Sequence, residues 1–134
     1  MSTSDDTGKL VLRLALGILI LLHGISKISN GIGSIIGMVT ANGLPAGFAY
    51  GVYIGEVVAP VLVIIGALTR PAALIIAINM VVAIALAHTG QLASLGKSGG
   101  WALELQGMFL FGAIALVFLG AGRFSAGGSA GRYN

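Results

Sequence analysis

The chain has 134 residues, of which 57% are hydrophobic and 8% charged, with a formal net charge of +3. Seven Lys and Arg with four Asp and Glu cannot cover a soluble domain, which typically carries about 25% charged residues; lipid is the natural solvent for most of this chain. The absence of cysteine excludes disulfides, thiolate metal sites, iron–sulfur clusters and dithiol chemistry here, and the scattered cations form no patch for nucleic acid.

In lipid every backbone polar group must be satisfied internally, so helices or a closed barrel are the alternatives. Barrel strands alternate apolar and polar residues. The apolar runs here are continuous, which predicts an all-α, multi-pass bundle of four transmembrane helices over residues 9–28, 47–68, 71–87 and 101–119. Residues 1–8 and 123–134 read as flexible tails around a single domain, 9–122.

The first run follows Lys9 and Arg13 but leads into His23-Gly24-Ile25-Ser26-Lys27, with no small-residue cleavage site, and reads as a retained helix. Arg13, about a turn in, reads as a snorkelling side chain. In the next connection Ile32, Ile35, Ile36 and Val39 fall at i, i+3, i+4 and i+7, one apolar stripe on a short helix expected to lie in the membrane interface. Asn42-Gly43-Leu44-Pro45 ends it. The second long helix opens with Gly47, Gly51 and Gly55 and continues to Ala59, a small-residue face suited to packing within the monomer or to a homo-oligomer seam. Thr69 and Arg70 alone join helices two and three, so these form an antiparallel pair, with Pro71 at a favourable first helical position.

Basic residues set the orientation. Lys9, Arg13, Arg70, Arg123 and Arg132 fall on one side, against Lys27 and Lys97 on the other, which puts both termini in the cytoplasm and Phe48, Tyr50, Tyr53 and Trp101 at the outer interface.

Ionisable residues within membrane segments are costly and are functional candidates by default. Glu56 lies about 13 Å into helix two by helical rise. Pro60 follows four residues later and should kink the helix, freeing the Glu56 carbonyl. His23 and Lys27 share a helix face; His88 closes helix three and Glu104 opens helix four on the same side. These five residues are expected to form a proton-handling pocket in the outer half of the bundle. Glu56, His23 and Glu104 are its candidate catalytic groups, and the spacings specify no metal. Asn79 and Gln106 read as interhelical hydrogen-bond partners, and Arg70 as a topology anchor or a hold for an anionic lipid or partner. The order His23, Lys27, Glu56, Arg70, then His88, Lys97, Glu104, Arg123, hints at a repeat with the two glutamates facing each other.

At these residues the chain resembles the DoxX family of small bacterial membrane proteins. The matching features are Arg13-x3-Gly17, Leu22-His23-Gly24-x2-Lys27, Gly43-Leu44-Pro45, Gly55-Glu56 and Gly66-Ala67-Leu68-Thr69-Arg70-Pro71-Ala72-Ala73. The resemblance implies a four-helix inner-membrane protein similar to the membrane part of thiosulfate:quinone oxidoreductase, with His23, Lys27, Glu56 and Arg70 as key positions. The function expected is a redox-linked subunit binding quinone through Lys27, His88, Arg70 and Trp101, with electrons from a partner subunit. A non-catalytic scaffold or assembly protein, or a small-molecule or proton transporter, are the alternatives.

Overall fold

The computed structural model describes residues 3–87, 95, 99–100, 102–128 and 131–134. Among these there is no β-strand. Five helical elements follow in order: α1 (Thr3–Asn30), the short α2 (Gly33–Ala41), α3 (Ala46–Ile65), α4 (Thr69–Ala87) and α5 (Glu104–Leu119). α1, α3 and most of α4 are long and apolar enough to cross a membrane, and α5 is a shorter apolar helix. α1 begins at Thr3, within the residues read from sequence as a tail.

Each long helix packs against two neighbours, in the ring α1–α3–α4–α5, and the α4–α5 pairing is the most extensive. One core runs through the ring. Leu16 and Ile20 of α1 meet Ala59 and Val63 of α3, Ala73, Ile76 and Met80 of α4, and Phe109, Ala113 and Leu116 of α5. The outward faces carry Ile18, Ile25, Val58, Leu74, Met108 and Phe118, all exposed. So wide an apolar exterior belongs in lipid rather than water.

Close approach of α1 to α3 depends on Gly17 and Gly24. A Cβ on Gly17 would stand 3.1 Å from the Pro60 carbonyl oxygen, and one on Gly24 would overlap the Glu56 carbonyl. The small-residue face expected at the start of α3 does this only in part. Gly55 and Ala59 are buried, but nothing lies near a Cβ added at Gly47 or Gly51. A GxxxG spacing supplies room for a neighbour, and no described helix of this chain takes up that room at its first two glycines.

α3 is not a uniform helix. A 3-10 turn (Ala46–Tyr50) follows Pro45, a π segment spans Ile54–Val58, and α-helix resumes over Ala59–Ile65. The π segment lies directly before Pro60, where the sequence predicts a deformation. A proline ring collides with the carbonyl four residues back; widening the preceding turn, with Ala59 N–H donating to the Ile54 carbonyl, moves that carbonyl aside.

α2 also departs from expectation. Its stripe turns onto the protein: Ile32 and Val39 are buried with Ala49, against Val52, Tyr53 and Leu86. The short helix roofs the bundle instead of spending its apolar face on the membrane interface.

At the opposite end, where α3 stops at Gly66 (φ 77°), the last carbonyls of the helix need donors. Arg13 supplies them. It is 1% exposed, and its guanidinium donates to the carbonyls of Val63 at 3.0 Å, Ile64 at 2.9 Å, Ala121 at 3.2 Å and Phe124 at 2.8 Å. Arg13 therefore ties three segments together and does not snorkel. Residues 123–134, expected to form a flexible tail, run across this end where they are described. Ala126 and Gly127 donate to the carbonyls of Ile65 and Gly66, and the Asn134 side-chain oxygen accepts from Thr69 N–H at 3.1 Å and its hydroxyl at 3.0 Å, capping α4.

Replacing Arg13 with Gln leaves several of these carbonyls without donors. Hydrogen bonds to a charged group contribute roughly 1.5–3 kcal/mol each, so the variant should lose on the order of 3 kcal/mol of stability in reversible unfolding in mixed micelles. Unchanged stability would contradict the role assigned to Arg13.

Candidate functional site

The π segment of α3 carries Glu56 at its centre and turns the side chain into the bundle, where the residue is 4% exposed. Two partners meet it. The Lys27 ammonium, from the last turn of α1, forms an ion pair with Oε1, and Asn79 of α4 donates from Nδ2 to Oε2 at 3.2 Å. Asn79 is thus an interhelical partner, in keeping with its residue type and depth. Lys27 does not snorkel outward; its side chain, 29% exposed, folds onto the carboxylate. The Tyr53 hydroxyl lies 3.5 Å from the Lys27 carbonyl, a long contact.

Two glycines make the arrangement possible. Bare Gly24 lets α1 close onto the Glu56 backbone, and Gly55 leaves the space that the Asn79 side chain fills, since a Cβ there would come 2.6 Å from the Asn79 Cβ. Three helices therefore converge on one carboxylate, and each approach needs a missing side chain or an amide of the right length.

The ion pair is a wall between two cavities. The larger, about 440 Å³, lies under α2 between α3 and α4. It is lined mainly by apolar groups such as Val39, Val52, Ile78 and Val82, with Lys27, Glu56 and Asn79 as its polar surface. Its volume falls within the roughly 300–1,000 Å³ typical of small-molecule pockets, which join apolar walls to a few placed polar groups. The smaller, about 130 Å³, lies toward α5 and is lined by His23, Lys27, Glu56 and Gln106 among others. His23 is held edge-on to Phe109, with ring centroids 5.8 Å apart.

Of the expected constellation, then, His23, Lys27 and Glu56 come together. Glu104 does not: it is an exposed residue in the first turn of α5 and lines neither cavity, so the glutamates do not face each other as the sequence order hinted. Arg70 sits at the start of α4, at the other end of the bundle, and donates to the Val117 and Phe118 carbonyls at the end of α5 at 2.9 and 2.8 Å. His88, Lys97 and Trp101 lie outside the described residues. Among the described residues no three His, Asp or Glu converge as a metal ion would require. The cavity walls from α2, and the approach of Gly24, were not anticipated. The i, i+7 spacing of Gly17 and Gly24 on one face of α1 was the available signal for the second.

A family model described as DoxX matches residues 8–89, more than half of the chain, and the chain belongs to that family. The match covers Lys27, Glu56, Asn79 and both walls of the larger cavity, but not α5. No curated protein and no solved structure matches the chain.

A buried charge left without its partner is more costly than the pair removed together. Lys27→Met and Glu56→Gln should each destabilise the protein, and the double variant should lose less than the sum, with a coupling of about 1–3 kcal/mol. Additive losses would show that the pair is not a unit. Gly24→Ala should cost about 1–3 kcal/mol by forcing α1 off the Glu56 carbonyl; wild-type stability on the same unfolding measurement would contradict the close approach.

Proposed function

We propose that this DoxX-family membrane protein is a redox-linked subunit that binds a quinone in the larger cavity, with Lys27, Glu56 and Asn79 as the polar end of the site. The observation that carries this reading is an ion pair with a buried carboxylate, beside Asn79, on the wall of a mainly apolar cavity about 440 Å³ in volume. A quinone is a flat apolar ring with two carbonyl oxygens at opposite edges. The apolar walls favour the ring, and an ammonium and an amide are hydrogen-bond donors suited to one oxygen.

Reducing a quinone to a quinol takes two electrons and two protons. In this reading Lys27 and Glu56 handle protons at the bound oxygen, because each is an ionisable group at the cavity surface. In this reading the electrons come from a partner redox subunit; the chain itself has no cysteine for dithiol or cluster chemistry. The protein would sit in the bacterial inner membrane with both termini on the cytoplasmic side, which places the cavity toward the outer leaflet.

The test is extraction of the purified protein and mass spectrometry for bound quinone, with two variants. Gly51→Phe fills the cavity from a position where an added Cβ meets nothing, so the fold and the ion pair should survive it. Glu56→Gln removes the charge. Stoichiometric quinone is expected in the wild type, none in Gly51→Phe, and at least severalfold less in Glu56→Gln. No quinone in a well-folded wild type, or equal quinone in all three, would overturn the reading and favour a scaffold role.

A further inference from the structure

The cavity under α2 lies in a wedge between two helices. α3 packs on α4 through Ile54–Ile65, whereas its first turn, Ala46–Tyr50, packs chiefly on α2. The two helices therefore part toward the roofed end, and the cavity occupies the space between them. On α3 one edge of that space is Gly51, which is exposed and has nothing within 4 Å of an added Cβ. Gly51 contributes no side chain that could close the wedge.

α4 supplies the other wall, and helical periodicity shows where that wall leads. At about 3.6 residues per turn, the positions met in going round α4 from Asn79 are Ile75, Val82 and Ile78, then Leu74 and Val81. The first four line the cavity. The last two are exposed on the outward face. Exposure rises in the same order, from 38% at Ile75 through 46% at Val82 to 55% at Ile78. The cavity wall thus runs continuously into the outer face of α4. By helical rise Ile78 lies about 14 Å below the roofed end of α4, within a hydrocarbon core about 30 Å thick. The cavity is polar where Lys27, Glu56 and Asn79 face it and apolar where it meets lipid.

We propose that this cavity opens sideways to the bilayer between α3 and α4, and that its ligand is a quinone carrying a long apolar tail. The ring lies against Lys27, Glu56 and Asn79, and the tail leaves between Gly51 and Ile78 into lipid. The inference rests on the quinone reading of the cavity and adds the substrate class, a membrane-dissolved quinone rather than a small water-soluble one. The gradient from polar inner end to apolar outer end orients such a molecule, since the donors meet its oxygens and nothing polar meets its tail. A closed pocket of about 440 Å³ would limit tail length; a lateral opening sets no limit. The tail is in hydrocarbon both before and after binding, so moving it contributes little, and the ring sets the affinity.

The test uses the full-length protein in lipid nanodiscs and a long-tailed quinone with a photoreactive diazirine on the first carbons of its tail. Labelled positions are mapped by peptide mass spectrometry, with and without unlabelled quinone. Labels on Gly51, Ile75 or Ile78 that fade with competitor are expected. Tail-less and long-tailed quinones with the same ring are then compared as competitors at equal mole fraction in the membrane. They should agree within about twofold, because the tail changes no environment on binding. Competition by the long-tailed form that is weaker by about tenfold or more would mean a closed cavity and overturn the inference. Competable labels confined to the roof, at Ile35 and Met38, would put the tail under α2; that result overturns the sideways opening and leaves the quinone reading standing. No competable label on any cavity residue would overturn both, and leave a lipid acyl chain as the occupant of the wedge.

Discussion

A carboxylate cannot be left alone inside a bundle bathed in hydrocarbon, and the half of this protein that holds the candidate site is organised around that constraint. Glu56 needs a cation and a donor, so Lys27 reaches in from α1 and Asn79 from α4. Those contacts need the helices close, and Gly24 and Gly55 remove the side chains that would hold them apart. Pro60 demands a deformation nearby, and the π segment that absorbs it has Glu56 at its centre. A π segment within a long apolar helix, a buried ion pair and two tight glycine contacts are each uncommon; here they are consequences of one another.

The other half answers a different constraint. Helix ends expose carbonyls and N–H groups that lipid cannot satisfy. Arg13, Arg70 and the last residues of the chain meet these groups, and they bind α1, α3, α4 and α5 into one rigid end. The bundle is thus tied together by hydrogen bonds at the end carrying its termini, while the cavities beside Glu56 lie toward the end roofed by α2.

Much of this was legible in the sequence. The continuous apolar runs marked the helices, and a glutamate deep in one of them marked the site, because a carboxylate at that depth is too costly to keep without a partner or a role. The pairing of Lys27 with Glu56 was less so, since helical depth says how far along the membrane a residue sits but not which neighbour it faces. The same gap accounts for the other departures. Periodicity showed that α2 has one apolar face without showing that this face turns onto Ala49 and Val52. Small-residue spacing pointed to Gly47 and Gly51, which meet nothing, while Gly17 and Gly24, spaced by two turns, carry the close approach. Arg13 read as a boundary residue because its acceptors, the carbonyls of Val63, Ile64, Ala121 and Phe124, are distant in sequence and have no side-chain signature. Arg70 was grouped with Lys27 by the family resemblance, although the distribution of basic residues places the two on opposite sides.

If the cavity bounded by α2, α3 and α4 is where a quinone-like molecule meets the Lys27–Glu56 pair, such a molecule should leave its mark on the cavity walls. Photo-crosslinking with a light-activated quinone analogue in reconstituted membranes, followed by peptide mapping, reads this directly. Labels are expected to concentrate on cavity residues such as Val52, Ile78, Val82 and Leu86 and to fade when unlabelled quinone competes. Labels spread over outward-facing positions such as Ile18, Met108 and Phe118, unaffected by competitor, would contradict a quinone site in this cavity.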